Sequence, residues 1–267
     1  MTSRIVRLAC ALTLALAACI AHAQPSVFIE DLTTTELAAQ IAGGKKTVLI
    51  PIGGTEQSGP AIVLGKHNVR AKALAERIAK ALGNALVAPV IAYVPEGNID
   101  PPSAHMRFAG TISIPVATFE STLDAAARSL RAAGFRDIVF LGDHGGYQQS
   151  MEAVAARLNR AWSKSPARAH ALLDYYRVTE TEYPAALAAR GISKAEIGTH
   201  AGLADTSLSL AVDPALVRQD ILASGRNLDA AHGVYGDPRR STVELGRLGV
   251  DEIVRRSVES IRQMTRR

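Results

Sequence analysis

Two polar segments follow strand-like apolar runs, and they carry the residues that could do chemistry. The first, Gly53 to Pro60, contains Glu56 and is followed by His67; the second, Gly142 to Gly146, contains His144. Because open α/β sheets bind ligands beyond the carboxyl ends of their strands, we expect these segments to meet there. One carboxylate and two imidazoles are a sufficient ligand set for a catalytic Zn²⁺ or Mn²⁺ with a position open for water. Spacing alone therefore indicates an α/β protein with a candidate metal site.

Short strand-like runs alternate with longer helical runs along the chain. Strands are predicted for residues 47–52, 85–92, 137–141 and 171–176, and helices for residues 70–82, 119–133, 148–162 and 251–264. This alternation predicts the α/β class, with a mainly parallel sheet sandwiched by helices. No repeat, low-complexity tract or linker divides the chain, so a single domain is expected over residues 27–267. Residues 95–113 are expected to form a long ordered loop, and such loops are more often functional than idle.

Residues 1–23 have the three parts of a secretory signal peptide. Two arginines precede an apolar run, Leu8 to Ala18, and Ala21-His22-Ala23 supplies the small residues ahead of a cleavage site before Gln24. The apolar run is too short to be a permanent membrane span. Leu16 to Cys19 also resembles a lipobox, so a soluble exported form and a lipid anchor at Cys19 are both open. The predicted location is periplasmic or secreted, or else that of a membrane-anchored lipoprotein.

Cysteine and charge content exclude several classes of site. The only two cysteines, Cys10 and Cys19, lie in the signal, so the mature domain has no disulfide, thiolate nucleophile or Cys-based zinc site. The formal net charge of +5 is modest and no basic stripe is interleaved with aromatic residues, so nucleic acid is not expected as a partner. Neither glycine-rich segment has the spacing of a phosphate loop or a dinucleotide fingerprint. Any metal must therefore rest on histidines and carboxylates.

Five segments resemble, in order, motifs of the creatininase family. Pro51 to Pro60 resembles the family's P-x-G-S-x-E-Q-H-G-P, His105 to Ser113 its H-x-x-F-P-G-T-I-S, and Leu141 to Gly146 its N-G-H-G-G. His200 to Ser207 resembles H-A-G-x-x-E-T-S, and Gly233 to Pro238 the late G-V-x-G-D-P. The segments span nearly the whole mature chain. The resemblance implies an α/β sandwich layered around a metal centre, usually of two divalent ions, and commonly a hexameric homo-oligomer.

The chemistry implied by this resemblance is the opening or cleavage of an amide. In such a reaction a metal activates water for attack on the carbonyl carbon and stabilises the oxyanion. By position, Glu56 and His144 fall on metal ligands of the family, and His67 falls on its bridging aspartate. His200 falls on a residue that assists proton transfer, and Asp205 on a glutamate near the metals.

Several positions depart from the family pattern. Ser58 stands where a histidine ligand of the second ion is expected, and Gly146 where creatininase has a glutamate. His67 replaces a carboxylate, and an imidazole does not normally bridge two cations. These losses predict one ion, Zn or Mn, rather than two. Asp143 stands where the family has glycine. Two interpretations of it are open: a replacement metal ligand, or a cap of the helix that follows.

Together these features predict an exported, metal-dependent amidohydrolase that acts on the amide, cyclic or open, of a small molecule. Two alternatives remain open: a non-catalytic periplasmic protein that binds a small molecule, and a structural descendant whose motifs serve only the fold. Metal content separates them, since only the enzyme predicts stoichiometric Zn or Mn. The altered ligand positions leave the identity of the substrate open.

Overall fold

Four short strands form a parallel sheet at the centre of the computed structural model, which describes residues 26–266. They are β1 (Thr47–Ile52), β2 (Ala85–Val87), β3 (Asp137–Gly142) and β4 (Arg168–Ala171), in the order β2-β1-β3-β4. The central strands β1 and β3 are buried along their whole length. The predicted α/β class, a mainly parallel sheet sandwiched by helices, is confirmed.

Ten α-helices lie within the described residues: α1 (Thr34–Ala42), α2 (Lys66–Leu82), α3 (Val116–Ala132), α4 (Gln148–Ala161), α5 (Leu173–Glu180), α6 (Glu182–Ala188), α7 (Lys194–Ile197), α8 (Leu203–Val212), α9 (Gln219–Ser224) and α10 (Val243–Met264). Helices α1, α3 and α4 cover one face of the sheet. Helices α2, α5, α6, α8 and α10 cover the other face. The sheet therefore has a separate apolar core on each side.

The sequence of β1 explains why both faces are covered. Val48 and Ile50 pack in the core with α3 and α4, whereas Leu49 packs in the core with α2 and α10. Strands buried on both faces read as continuous apolar runs, and β1 has such a run. Because the apolar residues extend to Ile52, the polar residues that follow begin only at the edge of the sheet.

The predicted strand over residues 171–176 is wrong. Strand β4 ends at Ala171, and α5 begins two residues later. Leu172, Tyr175 and Val178 are all buried at a spacing of three residues, which is close to the helical period. The predicted strand over residues 85–92 is also shorter than expected, because β2 ends at Val87.

Two helices begin earlier than predicted. Helix α2 begins at Lys66 rather than at residue 70, so His67 lies in its first turn. Helix α10 begins at Val243 rather than at residue 251, after the side chain of Thr242 caps it by accepting from the Leu245 N–H. The first of these differences decides how the candidate site is built.

Helices α8 and α10 pack against each other at close range. A Cβ at Gly246 of α10 would overlap the backbone carbonyl of Ser207 in α8. A Cβ at Gly249, one turn later, would lie 2.7 Å from a methyl carbon of Leu208. Glycine at these two positions therefore sets the distance between the two helices.

None of the helices in residues 26–266 has the length and apolarity that a membrane crossing requires. The predicted signal peptide, residues 1–23, and the lipobox cysteine Cys19 lie outside the described residues.

Candidate metal centre

The candidate site lies at the carboxyl edge of the sheet, between β1 and β3, where the strand order reverses. Glu56 follows β1, His144 follows β3, and His67 is the second residue of α2. Open α/β sheets bind ligands at such reversal points because the neighbouring loops diverge there and leave a crevice. The two polar segments do meet at this edge, as their positions after the strands predict.

Glu56 is fully buried, at 0 % exposure, and lies between the two predicted imidazoles. Its Oε1 is 2.7 Å from Nε2 of His67, and its Oε2 is 3.6 Å from Nε2 of His144. One ligand atom from each of the three residues lies within 4.8 Å of the others. Oε2 has no hydrogen-bond partner among the described residues. The structure thus brings the predicted ligands together, and their binding of a metal stays a prediction.

Each of these imidazoles faces a second carboxyl group with its other ring nitrogen. Nδ1 of His67 lies 2.6 Å from Oδ2 of Asp143. Nδ1 of His144 lies 3.7 Å from Oε2 of Glu96. Both outer carboxyl groups are buried. Carboxylates in this position orient the histidine ligands of metal sites.

Asp143 has neither of the roles that its position in the sequence left open. Besides facing His67, its carboxylate accepts hydrogen bonds from Nε of Arg70 at 2.8 Å and from the hydroxyl of Tyr175 at 2.6 Å. The 3-10 turn that follows is capped instead by the side chain of His144. Asp143 therefore joins β3 to α2 and α5 from behind the candidate ligands.

Basic residues of α2 neutralise the acids of the site. Lys66 binds Asp205 through its ammonium group, and its Nζ lies 3.5 Å from Oε1 of Glu56. Nη1 of Arg70 donates to Oδ1 of Asp205 at 2.8 Å. Although burial opposes the charge, Lys66 and Arg70 hold the pKa of Asp205 well below its ordinary value. Burial acts to raise the pKa of Glu56 as well, but Lys66 and His67 lower it below its ordinary value.

The pKa values of the site histidines are shifted in different directions. Burial lowers the pKa of His144 to about 3. Burial and the nearby Lys66 lower the pKa of His200 to about 4. Both rings are therefore neutral near pH 7, the state in which imidazole binds metals. Burial and Lys66 also act to lower the pKa of His67. The carboxylates of Glu56 and Asp143 outweigh them and raise this pKa above its ordinary value.

His200 lies just before α8, and one of its ring nitrogens faces Glu56. Its Nε2 donates to the carbonyl of Gln57 at 2.9 Å, and its Nδ1 lies 3.7 Å from Oε1 of Glu56. Asp205, in the first turn of α8, accepts from the N–H of Ala201 at 3.0 Å. The geometry leaves Nδ1 of His200 free on the side of the site and makes Asp205 a support of the His200 loop. Their roles in proton transfer stay predictions.

Four residues of the site were not assigned to it by sequence reasoning: Lys66, Arg70, Glu96 and His105. Nε2 of His105 lies 3.3 Å from Oε2 of Glu56, and burial lowers the pKa of His105. Together with His200 these two residues form a second group that could hold a metal. The only sequence signal for His105 was its place at the start of a family-like motif.

The sequence spacing of Lys66 and Arg70 would have placed both residues at the site once the start of α2 was known, whereas no sequence feature placed Glu96 there. Lys66 and Arg70 lie one position before and three positions after His67, so a helix starting at residue 66 places all three close together. Glu96 lies in an irregular loop, and its approach to His144 depends entirely on how that loop packs.

A divalent ion fits this donor set. Zn and Mn bind imidazole nitrogen and carboxylate oxygen, and both kinds of atom converge here. Oε2 of Glu56 is a buried carboxylate oxygen that lacks a partner in the described chain, as does the buried Oγ of Ser58. Buried polar atoms are nearly always paired, so the unpaired Oε2 of Glu56, which faces the imidazoles of His105 and His144, indicates a position for a cation.

A cavity of about 950 Å³ opens onto these residues. The candidate ligands and the neighbouring histidines lie at one end of it: Glu56, His67, His105, His144 and His200. Three tyrosines also line it: Tyr176, Tyr183 and Tyr235. A volume of this size lies within the range of about 300–1,000 Å³ that is usual for small-molecule sites.

Known proteins with similar sequences are hydrolases. The family model for creatininase, described as creatinine amidohydrolase, matches residues 30–261. A mycofactocin precursor peptide peptidase of Mycolicibacterium smegmatis is 29 % identical over 250 residues, which cover 86 % of this chain and 90 % of the relative. The creatinine amidohydrolase of Pseudomonas putida is 31 % identical over 129 residues, which cover 48 % of each chain.

Solved creatininase structures have the same fold. A crystal structure of creatinine amidohydrolase superposes with a TM-score of 0.75 at 24 % identity, over 90 % of this chain and 98 % of that one. A manganese form of creatininase and a Zn–Zn form of a mutant creatininase, both 25 % identical, give TM-scores of 0.72 and 0.73 over the same shares. Because the family match covers nearly all of the described residues, the chain belongs to the creatininase family.

Proposed function

We propose that the protein is an exported hydrolase that cleaves a C–N amide bond of a small molecule with one divalent ion, Zn or Mn. The observation that carries the proposal is the convergence of Glu56, His67 and His144, whose ligand atoms lie within 4.8 Å of one another beside the unpaired Oε2 of Glu56. These three residues would hold the ion, and the metal-containing creatininases of known structure support this assignment.

The replaced ligands and the buried positive charges of Lys66 and Arg70 both favour one ion over two. Ser58 stands where the family has a histidine ligand of the second ion and Gly146 where creatininase has a glutamate, and neither residue offers a carboxylate or an imidazole. The ammonium of Lys66 and the guanidinium of Arg70 supply buried positive charge instead, through their ion pairs with Asp205. Further cations at the same place would meet electrostatic repulsion.

The bound ion would activate water and polarise the amide carbonyl. His200 would move the proton, because its ring is neutral and its Nδ1 faces the site while the Gln57 carbonyl fixes Nε2. It would take a proton from water at Nδ1 and return it to the leaving nitrogen. Asp205 would assist by holding the loop of His200 through the Ala201 N–H.

Metal content tests this proposal most directly. Parent protein, His144→Ala and His232→Ala are purified without chelators, and their Zn and Mn are measured. We expect about one ion per chain in the parent and in His232→Ala, whose half-exposed ring pairs with Asp229 outside the site. We expect none in His144→Ala, which loses a ligand.

Turnover is then measured on cyclic and open amides, with creatinine and short peptides included because the relatives bear those names. Hydrolysis by the loaded parent and not by His144→Ala is the expected result. A parent that never contains metal would favour the non-catalytic binding protein. Two tightly bound ions would contradict the single-ion centre.

Export is the part of this proposal that depends on the sequence alone. It is supported by the charged start, the apolar run and the small-residue cleavage site within residues 1–23. The exported protein would be either cleaved after Ala23 or lipidated at Cys19. Assembly as a homo-oligomer is likewise an expectation from the family.

A further inference from the structure

Glu96 is a buried carboxyl group of the site to which the proposed reaction gives no role. It is 3 % exposed, and neither of its carboxylate oxygens has a hydrogen-bond partner in residues 26–266. A buried polar group without a partner destabilises a protein by about 1–3 kcal/mol. Burial and the nearby Glu56 raise the pKa of Glu96 to about 8, so the carboxyl group is neutral near pH 7. Such a group therefore calls for a functional explanation.

The backbone around Glu96 holds the side chain in this place. A Cβ at Gly54 would lie 2.5 Å from Oε1 of Glu96, so only glycine leaves room for the carboxyl group. Gly54 also has a φ of +153°, which a residue with a side chain rarely adopts. On the other side, the backbone N–H of Glu96 donates to Oγ of Ser113 at 3.0 Å.

The position of Glu96 matches that of Asp143 on the other candidate ligand. Asp143 faces Nδ1 of His67, whose Nε2 faces Glu56. Glu96 faces Nδ1 of His144, whose Nε2 also faces Glu56. Glu96 does not line the cavity, so it stands behind His144 as Asp143 stands behind His67.

Two neighbours of Nδ1 in His144 favour opposite tautomers. The N–H of Gly146 donates to Nδ1 at 3.1 Å, which leaves the ring proton on Nε2. An oxygen of the Glu96 carboxyl group lies 3.7 Å from Nδ1, beyond hydrogen-bond length, and a small approach would let it accept a hydrogen bond from Nδ1–H instead. Only this second arrangement leaves the lone pair of Nε2 free to bind an ion beside Glu56.

We propose that Glu96 is a positioning residue that selects the metal-binding tautomer of His144. The proposal rests on the single-ion function above and adds to it an outer carboxylate that touches neither ion nor substrate. It also explains why a carboxyl group without a hydrogen bond is kept in the interior. The family resemblance assigned no role to this position.

The test separates metal affinity from stability. Metal-stripped parent, Glu96→Gln, Glu96→Asp and Glu152→Gln are titrated with Zn²⁺ against a competing chelator. Glu152 is an exposed residue of α4 and controls for the loss of one negative charge. We expect Zn²⁺ binding to be about 10–100-fold weaker in Glu96→Gln, intermediate in Glu96→Asp and unchanged in the control. Thermal unfolding of the ion-free proteins is measured in parallel.

Ion-free Glu96→Gln should unfold at the same temperature as the parent or at a higher one, because an amide of the same size replaces the carboxyl group and is not repelled by the nearby Glu56. Equal Zn²⁺ affinity in parent and Glu96→Gln overturns the role of Glu96 and leaves the proposed function intact. Weaker Zn²⁺ binding together with a lower unfolding temperature would show that Glu96 stabilises the fold, and this result also overturns its role as a positioning residue. A parent that binds no Zn²⁺ overturns both proposals.

Discussion

Several charged residues of the site form ion pairs that join two elements of the fold. Asp205 connects α8 to α2 through Lys66 and Arg70, and Asp143 connects β3 to the same helix. Removing one member of a buried pair leaves the other charged and unpaired, which costs about 3–5 kcal/mol. Residues that serve the reaction therefore also contribute to the stability of the domain.

Asp205→Asn is expected to lower the free energy of unfolding by about 3 kcal/mol, because Lys66 and Arg70 both lose an anionic partner. Asp220→Asn, an exposed change on α9, should alter it by no more than about 0.5 kcal/mol. Urea unfolding of both variants measures the difference. An unchanged midpoint for Asp205→Asn would contradict the pairing.

The same variant separates two roles for Asp205. Under the proposed function Asp205→Asn keeps its ion, whereas turnover falls by about 10²–10⁴-fold because the support of the proton-transferring His200 is weakened. Loss of the ion from Asp205→Asn would show instead that Asp205 is a metal ligand. Metal analysis and a rate measurement on one preparation give both results.

At the level of helices and strands, sequence reasoning succeeded where an apolar run had a clear end. Strands β1 and β3 are short apolar runs that end at Gly53 and Gly142, and the helices between them have regular apolar spacing. It failed for residues 171–176, because a short apolar run fits a strand and a buried helix equally well. In the structure Leu172, Tyr175 and Val178 are buried at helical spacing, and the Tyr175 hydroxyl donates to Asp143, a residue distant in sequence.

The start of α2 could not be predicted for a different reason. Gly65 precedes the helix without a side-chain cap, and the first turn carries no acid that would favour a helix N-terminus. Lys66 and Arg70 instead pair with acids from distant segments, which compensates for an unfavourable position near the positive end of the helix dipole. Such contacts cannot be read from local sequence.

Gly246→Ala tests the close packing of α8 on α10. In an exposed helix this change stabilises a protein by about 1 kcal/mol. Here we expect destabilisation by about 1–3 kcal/mol, because the new methyl group meets the Ser207 carbonyl. Asp251→Ala, at an exposed position of α10, is the control and should have little effect. A raised unfolding temperature for Gly246→Ala would show that the two helices can separate freely.

For the molecule as a whole, the composition of the first 23 residues predicts a processed N-terminus. The mature chain is expected to begin at Gln24, or at a lipidated Cys19. Intact-mass measurement on protein exported by its native host separates these forms, because the lipidated form is heavier by its lipid group and by the five residues from Cys19 to Ala23. A chain that keeps Met1 in that host would contradict export altogether.

The contact between His67 and Asp143 has a consequence for how this branch of the family arose. The family pattern has aspartate at the first position and glycine at the second. Replacing the aspartate alone would leave Nδ1 of His67 without an acceptor, and adding Asp143 alone would place two carboxylates next to each other. The first step leaves a buried imidazole N–H without an acceptor and the second adds repulsion between like charges, so we expect the effects of the two substitutions to be coupled. We therefore expect a reversal at either position alone to give a less stable protein.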